Sequence, residues 1–276
     1  MGGYADGNGG GGGIMNYLIT NQNNFPNIGY PSPSYPNATV KTGGCGPCSV
    51  LNCVENMTGI RYKMADWIAF VIASGGRIDG GTSIPAILKA LGSKYGFSYS
   101  PETSVSKVKA HLKAGGMAVF HSGGKYSGWP GLLSDGGHYV CVAGLTADER
   151  AIVIDSGWRT GKYSGSWRKS LVTAGSQDGV IYVSFANLEK DRKYKSDEGA
   201  NYYLVTAPAA KINETEDEEN MKLYNTVEEM PDWAKPTIKK LVMAGALLGN
   251  SAGDLYLTES QMRIFVVNDR MKLYGE

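Results

Sequence analysis

Histidine is the scarcest of the chemistry-bearing residues in this chain, with three in 276 positions, followed by four cysteines. Any reaction that needs an imidazole base has only His111, His121 and His138 to draw on. Charge of a single sign is missing as well: 27 Lys+Arg stand against 26 Asp+Glu, a net +1. A chain built to grip phosphates shows a basic excess or stripe, so nucleic acid is not an expected partner. No apolar run approaches the roughly 18 residues of a membrane helix, so a membrane is not an expected partner either. Nor is there a basic segment followed by an apolar one of the secretory kind. If the protein works outside the cell that makes it, something else must release it. An evenly spaced disulfide framework is also lacking. Cys45, Cys48 and Cys53 crowd together while Cys141 stands apart, which suits a reactive or metal site in a reducing compartment.

What is present is enough for a core: 42% hydrophobic and 19% charged residues, in a length that fits one large domain plus a small appendage. Residues 1–14 are Gly-rich, bury nothing and read as a disordered extension or tag. Asn16-Tyr17-Leu18-Ile19 reads as a first strand. Residues 23–44, with Pro26, Pro31, Pro33 and Pro36, read as an extended, turn-rich approach. Helical spacing then predicts helices from Cys45 to about Met57, from Ala65 to Ile72, from Ile84 through Leu91, and from about Val105 to Lys113. β-rich runs follow at Met117 to Phe120, Tyr139 to Leu145, Ala151 to Asp155, Val180 to Ser184 and Tyr202 to Val205. Helices first and antiparallel strands after argue for an α+β fold rather than a doubly wound one.

The acidic, weakly apolar run 208–220 reads as a linker. It separates a domain over 15–207 from a small helical unit over 221–276, with helical patterns from Trp233 to Ala244 and from about Glu259 to Met271. The codons of Glu218-Glu219 can spell a purine-rich ribosome-binding sequence ahead of Met221. That raises the hypothesis of internal initiation, yielding a free C-terminal module that assembles with the full chain.

Cys45 sits in Gly43-Gly44-Cys45-Gly46-Pro47-Cys48, directly before an apolar-periodic helix. A helix N-terminus carries partial positive charge and free N–H groups, so it favours a thiolate there. The glycines allow close approach of a substrate backbone, and the Cys45 N–H is placed to help bind an oxyanion. Two other readings share the motif. Cys-Gly-Pro-Cys suits thiol–disulfide exchange, but Lys41-Thr42-Gly43-Gly44 is not the apolar strand that such a motif follows. A zinc site from Cys45, Cys48, Cys53 and His138 or Cys141 lacks the spacing of a second pair. Cys53 and Cys141 lie within apolar patterns and read as buried core thiols, and Cys48 as structural.

Among the histidines, His111 reads as an ordinary helix residue and His121, at the end of an apolar run, as a weak candidate. His138 is the strong one: Asp135-Gly136-Gly137 clears space before it, and the β-run that it opens fixes its direction. If that run and the next form a hairpin through 147–150, the start of one lies beside the end of the other. His138 and Asp155 then meet, giving the base an orienting carboxylate.

Gly44-Cys45-Gly46-Pro47, Gly80-Gly81-Thr82-Ser83, Gly137-His138-Tyr139-Val140 and Ile154-Asp155-Ser156, in that order, resemble the bacteriocin-processing type of papain-like cysteine peptidases. They look most like the diverged branch found in phage endolysins and bacterial cell-wall hydrolases, which implies a location in the host cytoplasm and action at the bacterial cell wall after release. The resemblance spans about residues 15–205. It implies a papain-like fold, Cys45 as nucleophile, His138 as general base and acid, Asp155 as orienter, and no metal or organic cofactor. The family often places a Gln about six residues before the Cys to complete the oxyanion hole. Thr39 stands there, with Asn37 and Gln22 as the other candidates. Asp155-Ser156 also departs from the family's usual Asp-Pro.

The C-terminal stretch from Met230-Pro231-Asp232-Trp233 to Thr258-Glu259-Ser260-Gln261 resembles a single surface-layer-homology repeat, with Thr-Glu where Thr-Arg is usual. That implies bacterial peptidoglycan and wall polymers as partners. A bland helical hairpin, serving for homo-oligomer formation through 221–276, is the alternative. The expected activity is hydrolysis of an amide in peptidoglycan. A peptidase acting on a protein or leader peptide, and a non-catalytic wall-binding protein, remain open.

Overall fold

In the computed structural model, residues 16–175, 177–192, 197–208, 224–247 and 253–255 are described, together with Leu257, Met262, Phe265, Val266 and Asp269. The chain divides into two compact units, Met1–Ala209 and Ala210–Glu276. The extension 1–14, all of the linker except Pro208, and Met221 lie outside the described residues.

In the first unit, short α1 (Val40–Gly43) runs through Gly44 into α2 (Cys45–Thr58). α2 ends where Gly59 takes a left-handed φ of 72°, which a residue with a Cβ adopts only at a cost. α3 (Met64–Ala73) follows, then a two-strand ladder of β1 (Arg77–Ile78) and β2 (Gly81–Thr82). α4 (Ile84–Tyr95) is capped by the Ser83 hydroxyl, which accepts from the Ala86 N–H, and carries Pro85 in its first turn. β3 (Ser98–Glu102) and α5 (Val105–Lys113) lead into β4 (Met117–Ser122), β5 (His138–Leu145) and β6 (Ala151–Ile154). After α6 (Ser166–Lys169) come β7 (Val172–Ala174), β8 (Val180–Val183), α7 (Phe185–Asp191) and β9 (Tyr202–Thr206). The sheet order is β3-β9-β4-β5-β6-β8-β7, with every neighbouring pair antiparallel. The fold is α+β, helices packed on an antiparallel sheet.

The central strands are apolar on both faces because both faces are covered. Met117, Val119, Cys141 and Ile154 join α2, α3 and α4 in one core, while Ala118, Phe120, Val140, Val142 and Val153 join α5 and α7 in the other. Period-two alternation thus sends neighbouring residues to opposite cores, which the sequence shows only as continuous apolar runs. Val50, Leu51, Cys53 and Val54 of α2 are buried to 1% exposure or less. A fully buried Leu such as Leu51 is worth about 2–5 kcal/mol against truncation to Ala. This packing fixes α2, and with it Cys45, against β5.

Residues 16–19 are not a strand. Their backbone groups are satisfied by side-chain amides: Gln177 pairs both ways with Tyr17, and Asn56 both ways with Leu18. An extended apolar segment met by amide side chains has no ladder left to form. Conversely, β3 is an edge strand of polar residues with Pro101 in it, a composition that conceals a strand.

In the second unit, α8 (Lys235–Met243) falls within the predicted helix 233–244. Tyr224, Met230, Ala234, Ile238, Leu257, Met262 and Val266 form its small core. Met262, Phe265, Val266 and Asp269 are helical, and the rest of the pattern 259–271 lies outside the described residues. Asp269 accepts from the Thr237 hydroxyl and the Lys240 ammonium, each at 2.8 Å, tying that turn to α8. Among the described residues no helix is long and apolar enough to cross a membrane.

Candidate active site

Cys45 opens α2 half-buried, at the foot of a cleft. Its position depends on a close approach of two glycine motifs. A Cβ on Gly46 would lie 2.6 Å from Thr82 Cβ, so the Gly80-Gly81-Thr82-Ser83 turn seats directly on the first turn of α2. Tyr30 Oη and Thr82 Oγ1 lie 2.9 Å apart, and Tyr139 Oη donates to Thr82 O at 3.3 Å, which fixes that turn. The Cys45 sulfur is hydrogen-bonded by His138 and by the backbone N–H groups of Tyr139 and Gly46.

His138 begins β5, and the β5–β6 hairpin brings it to Asp155, one residue past the end of β6. His138 Nε2 lies 2.7 Å from Asp155 Oδ1, which leaves Nδ1 for the thiol. Asp155 is fully buried yet saturated with donors. Its Oδ1 also accepts the Gly157 N–H at 2.9 Å, and its Oδ2 accepts Lys162 Nζ at 2.5 Å and Tyr163 Oη at 2.8 Å. A buried carboxylate is tolerated only when paired and hydrogen-bonded in this way.

Ser156, where the family resemblance leads one to expect proline, is a buried three-way tie. Its Oγ lies 3.0 Å from Tyr139 O and 3.2 Å from Cys45 O, and accepts from Ser49 Oγ at 3.2 Å. One hydroxyl therefore joins α2, β5 and the end of β6, the three elements that carry Cys45, His138 and Asp155.

The electrostatics of the three groups agree. Burial alone would raise the Cys45 thiol, but the hydrogen bond and charge of His138 and the two backbone N–H groups bring it below its ordinary value. Burial would lower His138, but Asp155 and Cys45 raise it to about 9. Burial would raise Asp155, but Lys162 and His138 hold it well below the usual carboxylate range. Both shifts favour the thiolate–imidazolium form of the pair over the neutral one, and its two ionisations belong to the pair. His138 above its unfolded value adds stability that is complete below about pH 6.5 and lost as pH rises through about 9. The depressed Cys45 works the other way, its contribution being lost as pH falls through its folded value. Activity is therefore expected on a plateau that ends on the alkaline side near pH 9. A kcat/KM profile with its alkaline limb near the free-imidazole value would contradict this pairing.

Gly157 has no room for a side chain: a Cβ there would lie 2.9 Å from His138 Cε1. Gly157→Ala is expected to push the ring off Asp155 and cut kcat by about 10²-fold while KM changes little. Steady-state kinetics on the variant check this, and an unchanged kcat would mean that the ring position is not critical.

The cleft above Cys45 has a volume of about 890 Å³. Asn37, Arg77 and Asp79 form part of its walls, with Gly81, Gly137 and His121. His121 is therefore a cleft residue, stacked on Tyr139 with ring centroids 3.9 Å apart, rather than part of the His138 pair. His111 is structural, its Nε2 lying 3.1 Å from Met117 O and 2.9 Å from Val205 O.

Of the three oxyanion candidates, Asn37 lines the cleft but is exposed, and Thr39 does not line it. Thr39 is used as the N-cap of α1, its N–H donating to Thr42 Oγ1 at 2.9 Å. Gln22 lies close to His138, across Gly157. Its backbone N–H donates to Ser156 O and its Nε2 to Lys41 O, each at 2.8 Å. Its Oε1 is buried without a hydrogen-bond partner, on the side where Gly157 borders His138.

All four cysteines are thiols. Cys48 is fully buried, and burial with the neighbouring Cys45 pushes its thiol well above the ordinary value, which makes it a poor exchange partner. α1, not a strand, precedes the Cys-Gly-Pro-Cys motif. Cys53 and Cys141 face one another in the core, sulfurs 3.3 Å apart. Among the described residues no three His, Cys, Asp or Glu side chains gather as a metal site.

The peptidase domain of Streptococcus ComA, a bifunctional ABC transporter involved in a quorum-sensing pathway, is a solved structure similar to this chain. The identity is 17% and the TM-score 0.36, over 60% of this chain and 91% of that one. No protein-family model and no curated protein matches the chain.

Proposed function

We propose that the chain is a cysteine hydrolase that cleaves an amide bond through a thioester at Cys45. The observation that carries this is the continuous relay Cys45–His138–Asp155, with the thiol at a helix start and both ring nitrogens of His138 engaged. The Cys45 thiolate attacks the amide carbonyl carbon, and the C=O electron pair moves onto oxygen. The Cys45 backbone N–H, at the start of α2, receives that oxyanion. As the C–N bond breaks, the amine leaves with the proton of the His138 imidazolium. Neutral His138 then takes a proton from water, the hydroxyl adds to the thioester, and the thiolate leaves with a carboxylic acid as product. One amide and one water give one acid and one amine, and thiolate and imidazolium are restored. Asp155 holds the ring throughout.

For the substrate we infer bacterial peptidoglycan, on the four-motif resemblance to endolysins and on the surface-layer-like pattern in 221–276, which would hold the chain on wall polymers. The cleft, walled in part by Gly43, Gly80, Gly81 and Gly137, leaves room for a peptide backbone to approach Cys45 closely. The test is to incubate the full chain with purified walls and weigh the soluble fragments by mass spectrometry. New free amines and carboxyls in equal number identify an amidase or endopeptidase and name the bond. Walls left intact, alongside Cys45-dependent cleavage of an unrelated polypeptide, would move the substrate to proteins while leaving the chemistry in place.

A further inference from the structure

Lys162 is a buried cation at this site that the expected Cys–His–Asp arrangement does not call for. Its side chain is 5% exposed, its Nζ lies 2.5 Å from Asp155 Oδ2, and it reaches Gly157 O at 3.4 Å. We propose that Lys162 is a positioning residue of the site: its ammonium holds Asp155 Oδ2, so that Oδ1 faces His138, and takes up part of the carboxylate's charge. The inference rests on the hydrolase reading above.

The two carboxylate oxygens serve different partners. Oδ1 serves His138 and the Gly157 N–H, and Oδ2 serves Lys162 and Tyr163. A carboxylate facing only an imidazolium would hold its proton too tightly to release it to a leaving amine. A second cation on the far oxygen divides that attraction, and the charge of Lys162 indeed opposes the rise that Asp155 causes at His138. The groups that face this cluster are Cys45 from α2, His138 from β5, and Tyr163 from the loop that carries Lys162. Arg168 and Asp191 act on Tyr163 from further off. Tyr163 is a neutral donor, because burial and Asp155 push its phenol well above the ordinary value. Lys162 is thus the cation that shares Asp155 with His138.

The test uses the full chain and three variants, Lys162→Gln, Lys162→Met and Lys162→Arg. The His138 ring protons are titrated by NMR, and Cys45 is titrated by its rate of alkylation with iodoacetamide. Gln keeps a donor on Oδ2 without charge, Met removes both, and Arg keeps the charge. Lys162→Gln and Lys162→Met are expected to raise the His138 titration by about one pH unit and to lower kcat with KM nearly unchanged. Lys162→Arg should titrate like the parent. A His138 titration that stays put in a folded Gln variant, or that moves as much in Arg as in Gln, overturns the proposal. So does failure of both neutral variants to fold by circular dichroism, because Lys162 would then be a structural ion pair. The hydrolase reading fails separately, if the parent's Cys45 alkylates with the pH dependence of an ordinary thiol.

Discussion

Cys45→Ala is expected to abolish hydrolysis, lowering the rate on wall material by about 10⁴-fold or more, while the protein stays folded. Removing a covalent nucleophile takes away the whole thioester route, and what remains is the background from binding and the oxyanion donors. The fold should tolerate the change. The sulfur is half-buried at a cleft, and the core side of α2 is held by Val50, Leu51 and Val54 rather than by Cys45. A second readout separates chemistry from damage. The Cys45 hydrogen bond is among the causes that raise His138 to about 9, so the imidazole of Cys45→Ala should titrate lower than the parent's. Cys48→Ala serves as the control, since its buried thiol lies outside the relay and its loss should leave hydrolysis largely intact. Cys45→Ala walls cleared at the parent rate would end the hydrolase reading. Loss of activity in Cys48→Ala at unchanged stability would return the two-cysteine chemistry to consideration.

The parts of this site that are legible in the sequence are those fixed by local pattern. Cys45 stands at the junction of a glycine turn and a helical period, and the helix begins there. The hairpin follows from two β-runs joined by a short turn, and its antiparallel pairing carries His138 to Asp155 without any further assumption. The helices over 105–113 and from Ile84 through Leu91 announce themselves through apolar spacing, and the second runs on to Tyr95.

What the sequence hides is set by partners distant along the chain. Residues 16–19 look like a strand because they are apolar and extended, yet the amides of Gln177 and Asn56 take their backbone groups. Lys162 and Tyr163 lie in an irregular loop with no periodicity, so nothing local marks them as the donors on Asp155 Oδ2. Gln22 is 23 positions before Cys45, far from the six-residue spacing expected of an oxyanion Gln, and reaches the site because its N–H is held by Ser156 O. Ser156 departs from the expected Asp-Pro, and the tie that it makes among three elements shows why a hydroxyl is useful there.

Asp155→Asn is expected to be the most damaging substitution that leaves the nucleophile and base in place. An amide has one accepting oxygen, and Asp155 has four donors aimed at it. If the amide oxygen faces His138, the new N–H₂ group points at Lys162 Nζ and Tyr163 Oη, and a cation that is 5% exposed loses its counterion. If the amide flips, its N–H₂ faces His138 Nε2 and selects the tautomer with the proton on the wrong nitrogen. The first arrangement costs stability and the second costs catalysis. Breaking a buried ion pair on one side costs about 3–5 kcal/mol. Mis-setting the tautomer of a catalytic histidine costs about 10⁴-fold in kcat.

The pH dependence of stability checks the assignment. Asp155 is held far below its unfolded value of about 3.9, so its contribution is complete above that pH and is lost on acidification through the lower folded value. The Asn variant should unfold more readily than the parent at neutral pH, and the gap should narrow as both are taken into acid. Adding Lys162→Met to Asp155→Asn should recover much of the lost stability, because the uncompensated cation is gone, yet restore none of the activity. If stability and activity return together in the double variant, Asp155 acts on the site only through the fold. If neither returns, the damage does not come from the stranded Lys162.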